Sequence, residues 1–300
     1  MIEIRHPKQD EWADAEELWN FAFGDGPALQ ARFYELCALD GPLVVLEDGA
    51  LRSMLALPEV TLRFGDGWSV RAGYVYALAT RLGYGGRGWA SMLLDCAASL
   101  ARERGLDRLL TVPARTDLFN FFEKSGFTPG FYMREMTAMP AVSPAQAVPI
   151  SPVEYNALRE GLLAGRTHVS YSDGQIAFQR ELCGLCELGG RPGSGLYRLE
   201  LAHGPGCAAV EALERPLVKE LLCAPGDEEQ GAAACAALCG GPVRARVPAG
   251  GDACQWQASI GDRAKGETDG TPFGAVRWLF SKAPSRWERS PSGWLGLAFD

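Results

Sequence analysis

The sequence has no surplus of positive charge and no long apolar run. Its 29 lysines and arginines are scattered and are outnumbered by 37 aspartates and glutamates, which gives a formal net charge of −8. Nucleic acid is therefore not an expected partner. No run approaches the length of a membrane span, and residues 1–6 lack the apolar core of a secretion signal. We expect a cytoplasmic protein with no membrane partner.

The spacing of a four-ligand metal site is also lacking. The nine cysteines are an odd number, and reduced thiols are expected without a secretion signal. Cys183-x-x-Cys186 and Cys235-x-x-x-Cys239 offer thiol pairs that His168 or His203 could complete as zinc sites. Both pairs lie in alanine- or leucine-rich helical stretches, where cysteine packs as a small hydrophobic residue. We therefore expect no metal.

What the sequence does have is a glycine-rich loop between a strand and a helix. Residues 74–79 are apolar and predict a strand, glycines follow at positions 83, 85, 86 and 88, and residues 91–104 predict an amphipathic helix. Glycine allows positive φ and a close approach of a ligand to the backbone. The first helical N–H groups have no partner within the helix and bind anions. The loop therefore predicts a ligand that carries phosphate.

Two common phosphate motifs fit this loop poorly. Gly83-x-Gly85-x-x-Gly88 matches the dinucleotide fingerprint, which also needs an acidic residue about twenty positions later, at the tip of the next strand. That strand, residues 109–112, ends at Pro113. A P-loop needs Gly-Lys-Ser/Thr, which does not follow the glycines. A nucleotide-dependent oxidoreductase is therefore disfavoured.

Two segments resemble the motifs of the GCN5-related N-acetyltransferases. Gly85-Gly-Arg-Gly-Trp-Ala90 is similar to the family's acetyl-CoA signature, Arg/Gln-x-x-Gly-x-Gly/Ala, and Phe121-Phe-Glu-Lys-Ser-Gly-Phe127 to its element Phe-Tyr-Glu-Lys-x-Gly-Phe. A helix and a strand separate the two segments, as in the family. The resemblance covers about residues 1–140. It implies a mixed α/β fold that binds acetyl-CoA and transfers its acetyl group to an amine.

The resemblance also implies which residues hold acetyl-CoA. In the family, pantetheine pairs with the strand before the loop, and the loop amides hold the pyrophosphate. These positions correspond here to Leu78, Ala79, Thr80, Gly83, Gly85, Gly86, Arg87, Gly88, Trp89 and Ala90. Gly85 stands where Arg or Gln is usual, so backbone or Arg87 would supply that contact.

The catalytic groups depart further from the family pattern. Phe122 stands where the family usually has a tyrosine that acts as the general acid, and a phenyl ring cannot donate a proton. Tyr84, Tyr76 or water could replace it, or turnover could be slow. For the base, Glu35, Glu59 and Tyr76 are candidates by rough position only.

A further candidate is the α-carboxylate of Asp300, which follows the apolar residues 294–299. The two-part layout resembles the enhanced-intracellular-survival-type acetyltransferases, without their sterol-carrier-like domain. Those proteins place the terminal carboxylate in the first domain's acetyl site. The resemblance therefore implies a catalytic role for Asp300.

The chain is long enough for two domains, and 47% of it is apolar. We predict a first domain at residues 1–140, a linker at 141–152 with prolines at 144, 149 and 152, and a second domain at 153–300. Strands are predicted at 2–5, 43–47, 51–57, 60–63, 70–79, 109–112, 195–202, 207–213, 217–223, 243–247, 273–279 and 294–299. Helices are predicted at 10–23, 27–39, 91–104, 153–164, 172–185 and 228–238, the fourth with a capping box at Ser151 and Glu154.

The second half repeats the predicted element order of the first. This favours a second, degenerate copy of the same fold, with a plain α+β accessory domain as the alternative. The loop that corresponds to the glycine loop is Ala224-Pro-Gly-Asp-Glu-Glu229, whose three carboxylates would repel a pyrophosphate. We expect this copy to have lost coenzyme binding.

The leading hypothesis is an N-acetyltransferase that moves an acetyl group from acetyl-CoA to a primary amine of a small molecule or peptide. The alternative is a catalytically weak CoA-binding or sensing protein, which Phe122 favours. A homo-oligomer is compatible with either.

Overall fold

The computed structural model describes residues 1–38, 40–185, 192–249, 270–280 and 293–299, without the side chains of 184 and 185. Its helices are α1 Trp12–Phe23, α2 Pro27–Leu36, α3 Trp89–Glu103, α4 Phe119–Lys124, α5 Pro152–Leu162, α6 Asp173–Leu185 and α7 Glu228–Cys239. Its strands are β1 Ile2–Arg5, β2 Leu43–Glu47, β3 Ala50–Ala56, β4 Glu59–Arg63, β5 Ser69–Thr80, β6 Arg108–Thr111, β7 Thr128–Ala138, β8 Gln146–Pro149, β9 His168–Ser170, β10 Gly195–Leu201, β11 Gly204–Glu211, β12 Leu217–Leu222, β13 Val243–Pro248 and β14 Thr271–Trp278.

Local sequence signals account for the ends of several helices. At α5 the predicted capping box forms, since the Glu154 amide donates to Ser151 Oγ at 3.2 Å and the Ser151 amide donates to Glu154 Oε2 at 2.9 Å. Pro152 occupies the first helical turn, where its missing N–H costs nothing. At α1 the left-handed Gly24 ends the helix. These signals lie within a few residues of each end, which is why the sequence predicts them.

One mixed sheet contains all fourteen described strands. Its main path runs β1-β2-β3-β5-β6-β14-β7-β13-β12-β11-β10-β8, and β4 pairs with both β5 and β9. Strand β14, from late in the chain, lies antiparallel between β6 and β7. Strands from before and after residues 141–152 therefore belong to the same sheet. The predicted division into two domains at these residues stays a prediction.

Two parallel pairs in this sheet have the same construction. Strand β5 is parallel to β6 with α3 between them in sequence, and β12 is parallel to β13 with α7 between them. The second half thus repeats the strand–helix–strand unit that carries the glycine loop in the first. The prediction of a mixed α/β sheet is confirmed.

Helices cover the sheet and form three apolar clusters with it. One holds Trp19 of α1, Phe33 of α2 and Phe178 of α6. A second cluster lies between the sheet and helices α3 and α4, and a third lies between the sheet and α7. None of the described helices is both long and apolar enough to cross a membrane.

The predicted strand at residues 294–299 was wrong, and two short strands were not predicted. Residues 294–299 were predicted as a strand, but they make only single bridges at Gly293 and Trp294, and Gly296 turns the chain at φ +70°. Their apolar side chains are buried without ladder pairing, and the Phe299 ring contacts Phe33 of α2 and Phe178 of α6. The predicted linker contains β8, which pairs with β10, and the short strand β9 was missed.

Candidate functional site

The parallel strands β5 and β6 separate at the point where their pairing ends. Their register runs from Ala72 opposite Arg108 to Val75 opposite Thr111. Thr111 Oγ1 closes this end by donating to the Val75 carbonyl at 3.2 Å. Strand β5 continues to Thr80 without further pairing to β6. A slot therefore opens along its last five residues.

A bulge marks the same point on β5. Ala77 has φ +50°, an uncommon conformation for a residue with a side chain, and the pairing with β3 shifts register between Met54 and Ala56. Such a backbone costs about 1–3 kcal/mol and persists where the surroundings impose it. Bulges also re-aim neighbouring groups. The strain thus falls where β5 turns toward the slot.

The predicted glycine loop follows β5 directly. Gly83, Gly86 and Gly88 have φ values of +83°, +76° and +84°, which side chains rarely adopt. A Cβ added at any of these positions, or at Gly85, would meet nothing within 4 Å. The glycines therefore shape an open concave backbone and are not required by close packing.

Helix α3 begins at this loop with its first amides uncapped. Gly88 is the N-cap residue and has no side chain to accept from them, and the first turn has no acidic residue. Unpaired amides and the positive end of the helix dipole favour an anion here. The residues of this loop therefore fit the pyrophosphate of a coenzyme A ester.

Two arginines flank the loop, with Tyr84 between them. The guanidinium of Arg52 lies 4.1 Å and that of Arg87 4.9 Å from the centre of the Tyr84 ring. Arg87 is half exposed, and its guanidinium lies 3.9 Å from the Glu47 carboxylate. This distance is long for an ion pair, so Arg87 remains able to contact an anion. Tyr84 packs against the apolar cluster that contains Phe122, but it does not line the cavity described next.

The slot opens into an apolar cavity of about 350 Å³. It contains three of the predicted coenzyme-binding residues, Leu78, Thr80 and Ala90, together with Phe122. The other lining residues are Phe23, Tyr74, Val75, Tyr76, Ala77, Thr111, Val112, Ala114, Leu118, Phe121 and Phe299.

Two of the predicted binding residues point elsewhere. Ala79 and Trp89 are buried outside the cavity lining. Trp89 belongs to the apolar cluster of α3, and its Nε1 has no hydrogen-bond partner among the described residues. Their contribution to a ligand would come from the main chain.

Phe122 forms part of the cavity wall. It is buried, with ring centroids 5.2 Å from Phe121 and 5.4 Å from Phe127. The carboxylates considered as bases lie outside the lining, where Glu35 pairs with Arg32 and Glu59 with Arg71. Of the titratable candidates named from sequence, only Tyr76 lines the cavity among the described residues.

Two lining aromatics were not predicted from sequence. Phe299 packs on Tyr74 and Tyr76 at centroid distances of 5.2 and 5.3 Å, so the last described segment of the chain reaches the cavity. The following residue, Asp300, lies outside the described residues. Phe23, at the end of α1, is 44% exposed, and no local sequence pattern marks it as a lining residue.

The corresponding loop of the second half has a different structure. Asp227 lies just before α7, and its carboxylate accepts from the His203 amide at 3.0 Å and contacts His203 Nδ1 at 2.7 Å. This partner lowers the pKa of Asp227. The described residues include no cluster of three or more His, Cys, Asp or Glu suited to a metal ion.

Comparisons with known proteins agree with this geometry. A family model described as an acetyltransferase (GNAT) domain matches residues 3–130. A search of curated protein sequences found no match.

Several solved structures are similar over 93% of this chain. A GCN5-related N-acetyltransferase from Kribbella flavida has a TM-score of 0.60 at 15% identity, with 72% of its own chain covered. One from Anabaena variabilis has a TM-score of 0.61 at 12% identity, with 73% covered. Eis1 from Mycobacterium abscessus has a TM-score of 0.59 at 14% identity, with 74% covered. At these identities the similarity shows the fold of the GCN5-related N-acetyltransferases, and residues 3–130 match the model of an acetyltransferase (GNAT) domain.

Proposed function

We propose that this protein transfers an acetyl group from acetyl-CoA to a primary amine of a small molecule or peptide. The observation that carries the proposal is the separation of β5 and β6 beside an uncapped helix start. The strand edge offers hydrogen bonds to pantetheine, and the loop amides offer them to pyrophosphate. The apolar cavity beyond holds room for the thioester and the acceptor.

In this proposal the protein's main task is to orient the two substrates. Acetyl-CoA supplies an activated acyl group. Main-chain groups of Leu78 and Thr80 hold its arm, and loop residues 83–90 hold its phosphates. An amide of the bulged strand near Ala77 polarises the thioester carbonyl. Enclosure of this part of the site by apolar side chains strengthens that hydrogen bond.

Proton movement needs groups other than Phe122. We propose that the α-carboxylate of Asp300 attracts the acceptor ammonium and relays its proton. The support is that Phe299, the residue before it, lines the cavity. Tyr76 is the described residue best situated to donate to the leaving sulfur, since its ring lines the same cavity.

The second candidate function is a CoA-binding or sensing protein with little turnover. Phe122 favours it, because the wall beside the slot has a phenyl ring where the family has a donor. Calorimetry with acetyl-CoA and CoA tests the binding that both functions share, and absence of binding would refute both. Thiol release with a panel of amines separates them, since a sensor would bind acetyl-CoA without releasing CoA.

A further inference from the structure

The cavity is aromatic at the end remote from the glycine loop. Tyr74 lies six residues before Thr80 on β5, a distance of about 20 Å at 3.3 Å per residue. Phe299 lines the cavity in ring contact with both Tyr74 and Tyr76, and Phe23 is a further aromatic residue of the lining. Because the coenzyme would enter beside Thr80 and Ala90, this aromatic end is the part left for the acceptor.

The wall of this aromatic end is held firmly. The Phe299 ring has centroid distances of 5.2 Å to Tyr74, 5.3 Å to Tyr76, 5.9 Å to Phe33 and 6.0 Å to Tyr171. Each contact is edge-on or tilted, as in stable aromatic clusters. The wall therefore presents a preformed apolar surface.

Phe23 differs from its neighbours because it is partly exposed. Its side chain lines the cavity but remains 44% accessible, which sets it at the mouth. Phe21 is on the same helix and 67% exposed, but it does not line the cavity. A substrate entering past Phe23 would cover an aromatic surface that now contacts water.

None of the described lining residues carries a formal charge. Their side-chain polar atoms are the hydroxyls of Tyr74, Tyr76, Thr80 and Thr111. Among these described residues, a polycation or a polyhydroxylated amine would lose hydration with few partners in return. An apolar body gains from burial, and one ammonium can rest against aromatic faces.

We infer that the acceptor is a primary amine on a single aromatic or aliphatic body, an inference that rests on the proposed function. In the transfer, the amine nitrogen bonds to the thioester carbonyl carbon and the carbon–sulfur bond breaks. The bound ammonium loses one proton to solvent before it attacks, and the second proton lost by nitrogen balances the one gained by sulfur, which leaves an N-substituted acetamide and free CoA. The body of the amine stays between Phe23 and Phe299 throughout.

The test measures binding of three probe amines to the full chain by ligand-observed NMR, with and without saturating CoA. The probes are phenethylamine, ethanolamine and spermidine. Phenethylamine should bind about 10- to 100-fold more tightly than ethanolamine, as expected for burial of one aromatic group. Phe23→Asn should weaken phenethylamine binding about tenfold, whereas Phe21→Asn should leave it unchanged.

Two results would overturn the inference. One is ethanolamine or spermidine binding as tightly as phenethylamine, and the other is an equal effect of Phe21→Asn and Phe23→Asn. Failure of acetyl-CoA to bind would instead refute the proposed function. In that case the titrations without CoA still rank the amines, so the two failures are distinguishable.

Discussion

Trp294 Nε1 donates a 2.7 Å hydrogen bond to Glu220 Oε1 in the buried interior. The other oxygen of Glu220 accepts from Arg159 Nε at 2.8 Å and from the Tyr155 hydroxyl at 2.9 Å. Arg159 and Tyr171 also donate to the Leu295 carbonyl. This polar network ties residues 294 and 295 to β12 and α5, and it thereby directs Phe299 into the cavity.

Glu220→Gln should destabilise the fold by about 3–5 kcal/mol, because it removes the buried countercharge of Arg159 and leaves this guanidinium only the longer, 3.4 Å contact with the partly exposed Glu160. Urea unfolding followed by circular dichroism measures the free energy. The matched control is Glu200→Gln, which removes an exposed partner of Arg198 and should cost less than about 1 kcal/mol. Equal effects of the two variants would mean that the buried network contributes no special stability.

Gly85→Glu should weaken acetyl-CoA binding at least tenfold, since one like charge about 4 Å from a phosphate costs roughly 1–4 kcal/mol. Gly85 suits this test because its φ is ordinary and its Cβ would meet nothing. At Gly88, with φ +84°, backbone strain would confuse the result. Calorimetry measures the affinity, and Gly85→Ala is the control that should bind nearly as the wild type does. Unchanged affinity in Gly85→Glu would show that the pyrophosphate does not bind at this loop.

Phe122→Tyr should raise kcat with a competent amine, by up to about 100-fold if proton donation to sulfur limits the rate. The substitution adds one hydroxyl to a ring that already lines the cavity. Phe121→Tyr is the control, because Phe121 lines the same cavity beside it. If both variants are no faster, another group already donates or a later step limits turnover.

Deleting Asp300 should lower kcat by about 10²- to 10⁴-fold, the usual loss on removing an acid–base group. The melting temperature should hardly change, since the described anchors of this segment lie at residues 293–299. Asp300→Asn keeps the α-carboxylate and should retain most activity. Full activity of the deletion variant would exclude the role proposed for this residue.

Buried thiols should resist alkylation in the native state. Burial raises the pKa of Cys223 to about 12 and raises the pKa of Cys207 well above its ordinary value. Because the thiolate is the reactive form, iodoacetamide should label these cysteines far more slowly in the native protein at pH 8 than in urea, and native labelling of Cys223 should still rise about tenfold per pH unit between pH 8 and pH 10. Peptide mass spectrometry measures the labelling, and the same protein in urea is the control. Rapid native labelling of Cys207 would show that β11 opens locally.

The glycine loop of the candidate site could be predicted from sequence because its determinants lie close together in the chain. Three glycines between residues 83 and 88 take positive φ, and the last of them leaves α3 uncapped. Capping at Ser151 and Glu154 is equally local. Such preferences depend on φ, on side-chain reach and on hydrogen bonds within a few residues, so they survive in any fold.

The aromatic part of the cavity, which we propose receives the acceptor, was decided by tertiary structure alone. Strand β14 lies between β6 and β7 although more than 130 residues separate it from either. Residues 294–299 have the composition of a strand, yet Gly296 and the Glu220 network turn them toward Tyr74. Which apolar segment occupies a given space depends on the summed packing of distant surfaces, which no local pattern records. The sequence by itself therefore determined the loop that suits a phosphate, and only the fold decided that Phe299 closes the cavity beyond it.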